Sequence, residues 1–302
     1  MSVKIHFLDV GCGDCSFVHF PARTSNNGQV SKNERLMMID LYHHDNHDYY
    51  ENVLSYYKEN FNGMSIFRFV CTHPHQDHIC GLDKFFSDSD VEILNLWDTD
   101  HCFEPEDFDG HETHKDDWNK YQKVRNPSVS SPKTIYALRG HSFQYADEDR
   151  ITILSPTEDL IKYAHETEDG EKRDEILIDE MSYALMLEVN STKVIFAGDG
   201  KEKCWNDIYE NCKDEIKACD VLKAGHHGQE SGFHEESVKL MNPKHVVFSN
   251  SKEKDNNDGA QEEYKSTLDN PKIYKTCDYG TIIAECEFDG KIIFRNSLEQ
   301  LL

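Results

Sequence analysis

The stretch FVCTHPHQDHICGL, residues 69–82, restricts the folds open to this chain more than any other feature. It places His73, His75, Asp77 and His78 directly after an apolar, strand-like run. The carboxyl ends of strands are where α/β proteins build their sites, and imidazole with carboxylate suits zinc, manganese or iron. The spacing therefore predicts a metal site, in which His73 and His75 serve one ion and Asp77 and His78 a second.

Strand-like and helix-like segments alternate along the chain. Short β-rich runs recur from VKIHFLDV near the start to KIIFRN near the end, with turn residues between them. Apolar residues at helical spacing predict helices over 47–59, 204–218 and 234–241, and a helix start after residue 78. This interleaving predicts an α/β fold. Because no linker or repeat divides the sequence, we expect a single domain over residues 1–302.

Composition narrows the class of protein. The net charge is −25 and the mean hydropathy −0.72, and no apolar run is long enough to cross a bilayer. The N-terminus lacks a signal-peptide core, and the ten cysteines are scattered, as is typical of reduced thiols. We therefore expect a soluble cytoplasmic protein with no membrane contact. So acidic a surface repels nucleic-acid backbones unless a basic patch, a metal site or a partner intervenes.

Two turns and two irregular segments can be located. Asn190-Ser191-Thr192 and Asp289-Gly290 predict hairpins. Residues 98–132 form a predicted acidic insertion loop, and residues 251–266 are charged and poor in apolar residues. The composition of both segments is typical of solvated loops or of lids beside a site.

Three further motifs carry a family resemblance. Asp40 ends RLMMID, Asp199 lies in VIFAGDG, and residues 221–232 read VLKAGHHGQESG. In this order, and together with the histidine motif, they resemble the metallo-β-lactamase superfamily. The resemblance implies a four-layer αββα sandwich of two mixed β-sheets flanked by helices, with Asp40 supporting the metal loop. It implies the metal ligands His73, His75, Asp77, His78, Asp199 and one of His226 and His227.

The nearer resemblance is to the hydrolase domain of the competence protein ComEC and its free-standing relatives, without the membrane channel. FLDVGCGDCS is similar to their opening strand FLDVGQGDS, and LKAGHHG to their His-His-Gly turn. The resemblance implies a site of two divalent ions, zinc or else manganese, that activates water for attack on phosphodiester bonds. A nuclease or a nucleotide phosphodiesterase is the expected form. Asp77, His226 and His227 are the expected catalytic residues.

The chain departs from the family at the third motif, whose histidine has no match. Asp179 or Glu180 in IDEMSYALML could supply the missing ligand. Gln229 replaces the serine that usually follows the His-His-Gly turn, and Lys201 is either a phosphate contact or an exposed residue at a helix start. The other ligand candidates, or residues at the edge of the site, are His43, His44, His47, His101, His111, His114, His141 and His165.

The pair Cys12-Gly-Asp-Cys15 has three interpretations. A redox pair opens a helix in a thioredoxin-like unit, and a zinc half-site needs a second ligand pair. Neither context is present in the sequence, since strand-like runs flank the pair and no second C-x-x-C exists. We therefore predict a tight strand-to-strand turn, in which Asp14 is the functional residue.

Two other functions compete with phosphodiester hydrolysis. The same metal site supports hydrolysis of carboxylic esters, lactones or thioesters. Alternatively, the chain is a metal-stabilised, non-enzymatic component of a bacterial defence complex or another assembly. A nucleic-acid substrate could be delivered by a partner protein, and the oligomeric state is not predicted.

Overall fold

The computed structural model describes residues 2–24, 30–43, 50–107, 114–126, 128, 131–167, 169–171, 177–252, 259–298 and 300–302. Seventeen strands and eleven α-helices alternate along these residues. The strands are β1 (Ser2–Phe7), β2 (Ser16–Phe20), β3 (Arg23–Thr24), β4 (Val30–Lys32), β5 (Arg35–Ile39), β6 (Leu41–Tyr42), β7 (Ile66–Val70), β8 (Asn95–Asp98), β9 (Lys133–Tyr136), β10 (Ile151–Ser155), β11 (Ala184–Val189), β12 (Thr192–Phe196), β13 (Val221–Lys223), β14 (His245–Phe248), β15 (Lys272–Lys275), β16 (Ile282–Glu287) and β17 (Ile292–Asn296).

The helices are mostly short and lie between strands. They are α1 (Val53–Asn60), α2 (Gln76–Ile79), α3 (Leu82–Ser87), α4 (Lys115–Val124), α5 (Gln144–Asp149), α6 (Glu158–His165), α7 (Glu202–Asn211), α8 (Lys213–Ile216), α9 (Glu235–Met241), α10 (Gln261–Thr267) and α11 (Thr276–Tyr279). Short 3₁₀ turns occupy Pro105–Asp107, Ile178–Met181, His226–Gly228 and Glu230–Gly232.

Two mixed sheets form the centre of the molecule. The first has eight strands in the order β17-β16-β1-β2-β5-β7-β8-β9, and the second has six in the order β10-β11-β12-β13-β14-β15. In each sheet an antiparallel half meets a parallel half, the latter being β5-β7-β8-β9 in the first and β12-β13-β14-β15 in the second. β3 and β4 pair separately.

Three apolar cores separate four layers. One core, with Val53, Phe85 and Tyr121, joins α1, α3 and α4 to the first sheet. A second lies between the sheets, and a third, with Trp205 and Val238, joins α7 and α9 to the second sheet. Burial of these faces is the main force holding the layers together. The predicted sandwich of two mixed sheets flanked by helices is confirmed.

Several local predictions need correction. The predicted acidic insertion loop, residues 98–132, contains helix α4, whose Trp118 is buried because it packs in the first core. Similarly, α10 begins inside the segment 251–266 that was expected to be irregular. The helix expected over 204–218 is broken between α7 and α8. His44, His47 and His111 lie outside the described residues.

Other local predictions are confirmed. β11 and β12 form a hairpin that turns at Asn190, and Asp289-Gly290 turns β16 into β17. The Cys12–Cys15 stretch is a turn between β1 and β2, closed by a hydrogen bond from the Leu8 amide to the Cys15 carbonyl. Within the described residues, none of the ten cysteines forms a disulfide bond. Among the described residues, no helix combines the length and the apolar character needed to cross a membrane.

Candidate metal centre

The predicted site residues meet where four parallel strands end. Asp40 follows β5, His73 follows β7, Asp199 follows β12, and His226 and His227 follow β13. Asp40, His226 and His227 have left-handed backbone conformations, with φ of 56°, 49° and 57°. Non-glycine residues adopt this region at a cost, and such strain is concentrated at functional sites.

The turn that carries the histidine motif is anchored by α4. The Asp117 carboxylate accepts hydrogen bonds from the Gly81 amide (3.0 Å), the Asp83 amide (3.2 Å) and the Gln76 side chain (2.9 Å). Because Asp117 is buried, these bonds are shielded from water. The acidic segment therefore contributes a structural support for the site.

A first group of metal-binding atoms comes from His73, His75 and Asp179. His73 Nε2 lies 2.9 Å from His75 Nδ1, and Asp179 Oδ1 lies 3.3 Å from the first nitrogen and 3.0 Å from the second. Ligands bound to one ion at 2.0–2.2 Å are about 3–3.5 Å apart. The three atoms have the spacing of donors to a single metal ion.

A second group adjoins the first and comes from Asp77, His78 and His227. His227 Nε2 lies 3.3 Å from oxygens of both Asp77 and Asp199. Asp199 Oδ2 also lies 3.2 Å from His78 Nε2 and 4.0 Å from His73 Nε2. Asp199 is thus close to donors of both groups, as a carboxylate shared by two ions would be.

Asp40 fixes the orientation of the His78 side chain. Its Oδ2 lies 2.8 Å from His78 Nδ1 and accepts a hydrogen bond from the Thr72 hydroxyl, and its Oδ1 accepts the Thr72 amide. Since Nδ1 of His78 is occupied in this way, Nε2 is directed at Asp199. Metal-binding histidines are commonly oriented by such carboxylates, so the predicted supporting role of Asp40 agrees with its contacts.

The donor set fits divalent metal ions. Four buried atoms around the centre make no hydrogen bond of acceptable geometry within the described residues: both ring nitrogens of His227, Oδ1 of Asp179 and Oδ1 of Asp199. Buried polar atoms normally have partners. Their spacing and chemistry are those of ligands for zinc, manganese or iron.

The electrostatics of the centre are set by close charges. Burial opposes the charged form of His227, but the nearby carboxylates of Asp199 and Asp77 prevail and raise its pKa to about 9. Despite burial, the pKa of Asp199 is well below its usual value because His227 and His78 lie beside it. The carboxylates of the centre therefore favour a bound cation.

The two neighbouring histidines have separate environments. His227 is buried inside the second group, whereas the His226 side chain is 20% exposed and its Nε2 lies 3.9 Å from Asp199. Nδ1 of His226 lies 2.6 Å from the Ser231 hydroxyl. Of the two residues, His227 is the candidate ligand, and His226 is the more exposed and the farther from Asp199.

Asp179 and Glu180 likewise diverge. Asp179 joins the first group, while Glu180 accepts hydrogen bonds from the amides of Lys203 and Cys204 at the start of α7. Lys201 lies 2.5 Å from the second oxygen of Asp179, so it is an ion-pair partner that the sequence did not reveal. Of the remaining histidine candidates within the described residues, none groups with His73 or His75; they are His43, His101, His114, His141 and His165.

Comparisons by sequence find no match, either to a protein-family model or to a curated protein. Comparison with solved structures does find matches. YhfI from Bacillus subtilis, a metallo-β-lactamase fold protein, has a TM-score of 0.50 and 12% identity, over 94% of this chain and 99% of YhfI. Igni18, a metallo hydrolase from Ignicoccus hospitalis KIN4/I, has a TM-score of 0.48 and 15% identity, over 94% of this chain and 98% of Igni18. Zn²⁺-bound PqqB from Methylobacterium extorquens has a TM-score of 0.43 and 11% identity, over 91% of this chain and 99% of PqqB.

The likeness to YhfI covers nearly the whole of both chains. The two mixed sheets, the flanking helices and this likeness together establish that the chain has the metallo-β-lactamase fold.

Proposed function

We propose that the protein is a metal-dependent hydrolase that cleaves phosphodiester bonds with a dinuclear centre. The observation that carries the proposal is the pair of adjacent donor groups that share Asp199. Each group would hold one ion. The first group consists of His73, His75 and Asp179, and the second of Asp77, His78 and His227. Adjacent ions of this kind are typical of phosphatases and nucleases.

Ions bound in these groups would lower the pKa of water and offset charge on a phosphate. The protein's own residues supply the remaining functions. His226, held through Nδ1 by Ser231, would present Nε2 to the leaving oxygen and give it a proton. Lys201, whose side chain is 39% exposed, would bind a phosphate oxygen beside Asp179.

The substrate we favour is small. A net charge of −25 repels a long polyanion, whereas a short or cyclic nucleotide carries few charges and can reach the ions. The ComEC-like opening strand and His-His-Gly turn support a phosphodiester substrate. Longer nucleic acid would require delivery by a partner protein, and a cytoplasmic location fits such substrates.

The test compares two chromogenic substrates. Purified protein loaded with Mn²⁺ or Zn²⁺ should hydrolyse bis-p-nitrophenyl phosphate faster than p-nitrophenyl acetate, and EDTA should abolish the reaction. Asp199→Asn should lower kcat by about 10²-fold or more, since it weakens both groups at once. The matched control is His141→Ala, which removes an exposed histidine outside both groups.

Each contrary outcome overturns a definite part of the proposal. Hydrolysis of the acetate alone would indicate an ester, lactone or thioester hydrolase. Tight binding of metal without hydrolysis of either compound would indicate a metal-stabilised component of an assembly. Full activity in EDTA would overturn metal dependence itself.

A further inference from the structure

A third carboxylate approaches the second group from a distant part of the chain. Asp14 lies in the turn between β1 and β2, and its amide donates a hydrogen bond to the Asp77 carbonyl at 3.0 Å. A carboxylate oxygen of Asp14 and the donor atoms of Asp199 and His227 all lie within 4.8 Å of one another. The turn packs closely on its surroundings, because a Cβ on Gly13 would clash with the Tyr42 side chain.

Asp14 is held in this position by a buried lysine. Lys223 ends β13, is 3% exposed, and its ammonium group forms an ion pair with Oδ2 of Asp14. The Ser249 hydroxyl lies 3.4 Å from the other oxygen. Burying two charges carries a desolvation cost that their attraction offsets only in part. Such a pair is therefore weak as a source of stability and more readily explained by a role in the centre.

The charge of the centre calls for cations. Five carboxylates face or adjoin the two groups, against two ammonium groups, those of Lys201 and Lys223. Carboxylates therefore outnumber ammonium groups around the centre, and the side chains of four of the five are buried. The carboxylates are those of Asp14, Asp40, Asp77, Asp179 and Asp199.

We propose that Asp14 is an additional ligand of the ion in the second group, and that Lys223 neutralises Asp14 when no ion is bound. The inference rests on the dinuclear centre of the proposed function. It gives the second group three carboxylates, from Asp14, Asp77 and Asp199, and the two imidazoles of His78 and His227. Zinc in proteins usually takes four ligands, whereas an oxygen-rich set with more donors suits Mn²⁺.

Manganese binding can be measured without any substrate. Chelator-treated protein is titrated with Mn²⁺, and free Mn²⁺ is followed by electron paramagnetic resonance. The wild-type chain should bind two equivalents. Asp14→Asn should weaken one of them by tenfold or more and leave the other unchanged. Asp9→Asn, an isosteric change five residues earlier and outside the groups, should bind both equivalents as the wild type does.

A second variant tests whether the ion and Lys223 both neutralise Asp14. Lys223→Met leaves Asp14 without its counter-charge, so the metal-free protein should melt at a lower temperature than the wild type. Mn²⁺ should then raise the Tm of Lys223→Met more than it raises the wild-type Tm, because the ion takes over the neutralisation of Asp14. An ion pair remote from the metal would give equal increases.

Two results overturn the inference: two wild-type equivalents in Asp14→Asn, or equal Tm increases in Lys223→Met and the wild type. Both are independent of the proposed reaction. A chain that binds Mn²⁺ as expected but hydrolyses no phosphodiester contradicts the proposed function alone.

Discussion

His227 Nε2 lies 3.3 Å from Asp199 Oδ2, whereas Nε2 of the adjacent His226 lies 3.9 Å from the same oxygen. Both residues adopt left-handed backbone conformations after the end of β13. The His227 side chain is buried in the centre, whereas the His226 side chain is partly exposed. Two neighbouring histidines thus serve different functions.

Substitution of each histidine should therefore give a different defect. His227→Ala should lose one bound metal equivalent, because a ligand is removed. His226→Ala should keep both equivalents and lower kcat by about 10²–10⁴-fold, since only a proton donor is lost. Elemental analysis of each variant, together with steady-state kinetics on bis-p-nitrophenyl phosphate, checks both. Loss of metal from His226→Ala, with full occupancy in His227→Ala, would reverse the assignment.

The local motifs allowed much of the centre to be predicted. His73, His75, Asp77 and His78 lie within six residues after one strand, so their proximity follows from chain connectivity. Asp199 is predicted by the family resemblance, because VIFAGDG is one of the motifs that carry it. The alternation of strands and helices along the chain predicts the α/β class. The family resemblance adds the four-layer sandwich.

Contacts between distant segments could not be predicted in this way. Asp179 and Glu180 are adjacent on a 3₁₀ turn, and only the packing of that turn decides which carboxylate joins the first group. The pairing of Asp14 with Lys223 spans 209 positions and depends on how the two sheets meet. Helix α4 was missed because its exposed face is highly charged, which concealed the buried residues Trp118 and Tyr121.

Asp179 and Glu180 give a second prediction, on metal affinity. Asp179→Asn should weaken the first metal equivalent by about tenfold or more, as expected when a charged ligand is lost. Glu180→Gln should leave affinity unchanged but lower the free energy of unfolding by about 1 kcal/mol, because it weakens the hydrogen bonds at the start of α7. Competition with a chromogenic chelator measures the affinity, and urea unfolding measures the stability. Unchanged affinity in Asp179→Asn would exclude it as a ligand.

Asp117 gives a third prediction, on stability. Asp117→Ala removes the acceptor for the Gly81 and Asp83 amides and for Gln76, and should cost about 2–4 kcal/mol of unfolding free energy. The matched control is Asp116→Ala, because Asp116 is exposed on the same helical turn and should cost under about 0.5 kcal/mol. Urea denaturation of both variants decides the matter, and equal midpoints would contradict a supporting role for Asp117.

Asp9 and Glu51 give a fourth prediction, on pH dependence. Burial, with the neighbouring charge of Glu51, raises the pKa of Asp9 from 3.8 to about 7, although Lys252 and the Gly11 amide act in the opposite direction. Oδ1 of Asp9 is buried without a hydrogen bond within the described residues. The folded state therefore disfavours the carboxylate form of Asp9, which the unfolded chain readily adopts.

The raised pKa of Asp9 determines how the stability of the protein changes with pH. The stability associated with protonated Asp9 is fully present below about pH 4 and is lost as the pH rises through 7. Asp9→Asn mimics the protonated form at every pH, so it should be as stable as the wild type at pH 4. At pH 8 it should be more stable by about 2 kcal/mol, a value reduced for solvent screening at the exposed side of Asp9. Thermal melts of metal-free protein between pH 4 and 8 measure the difference, and a difference that does not change with pH would show that Asp9 is ionised in the folded chain.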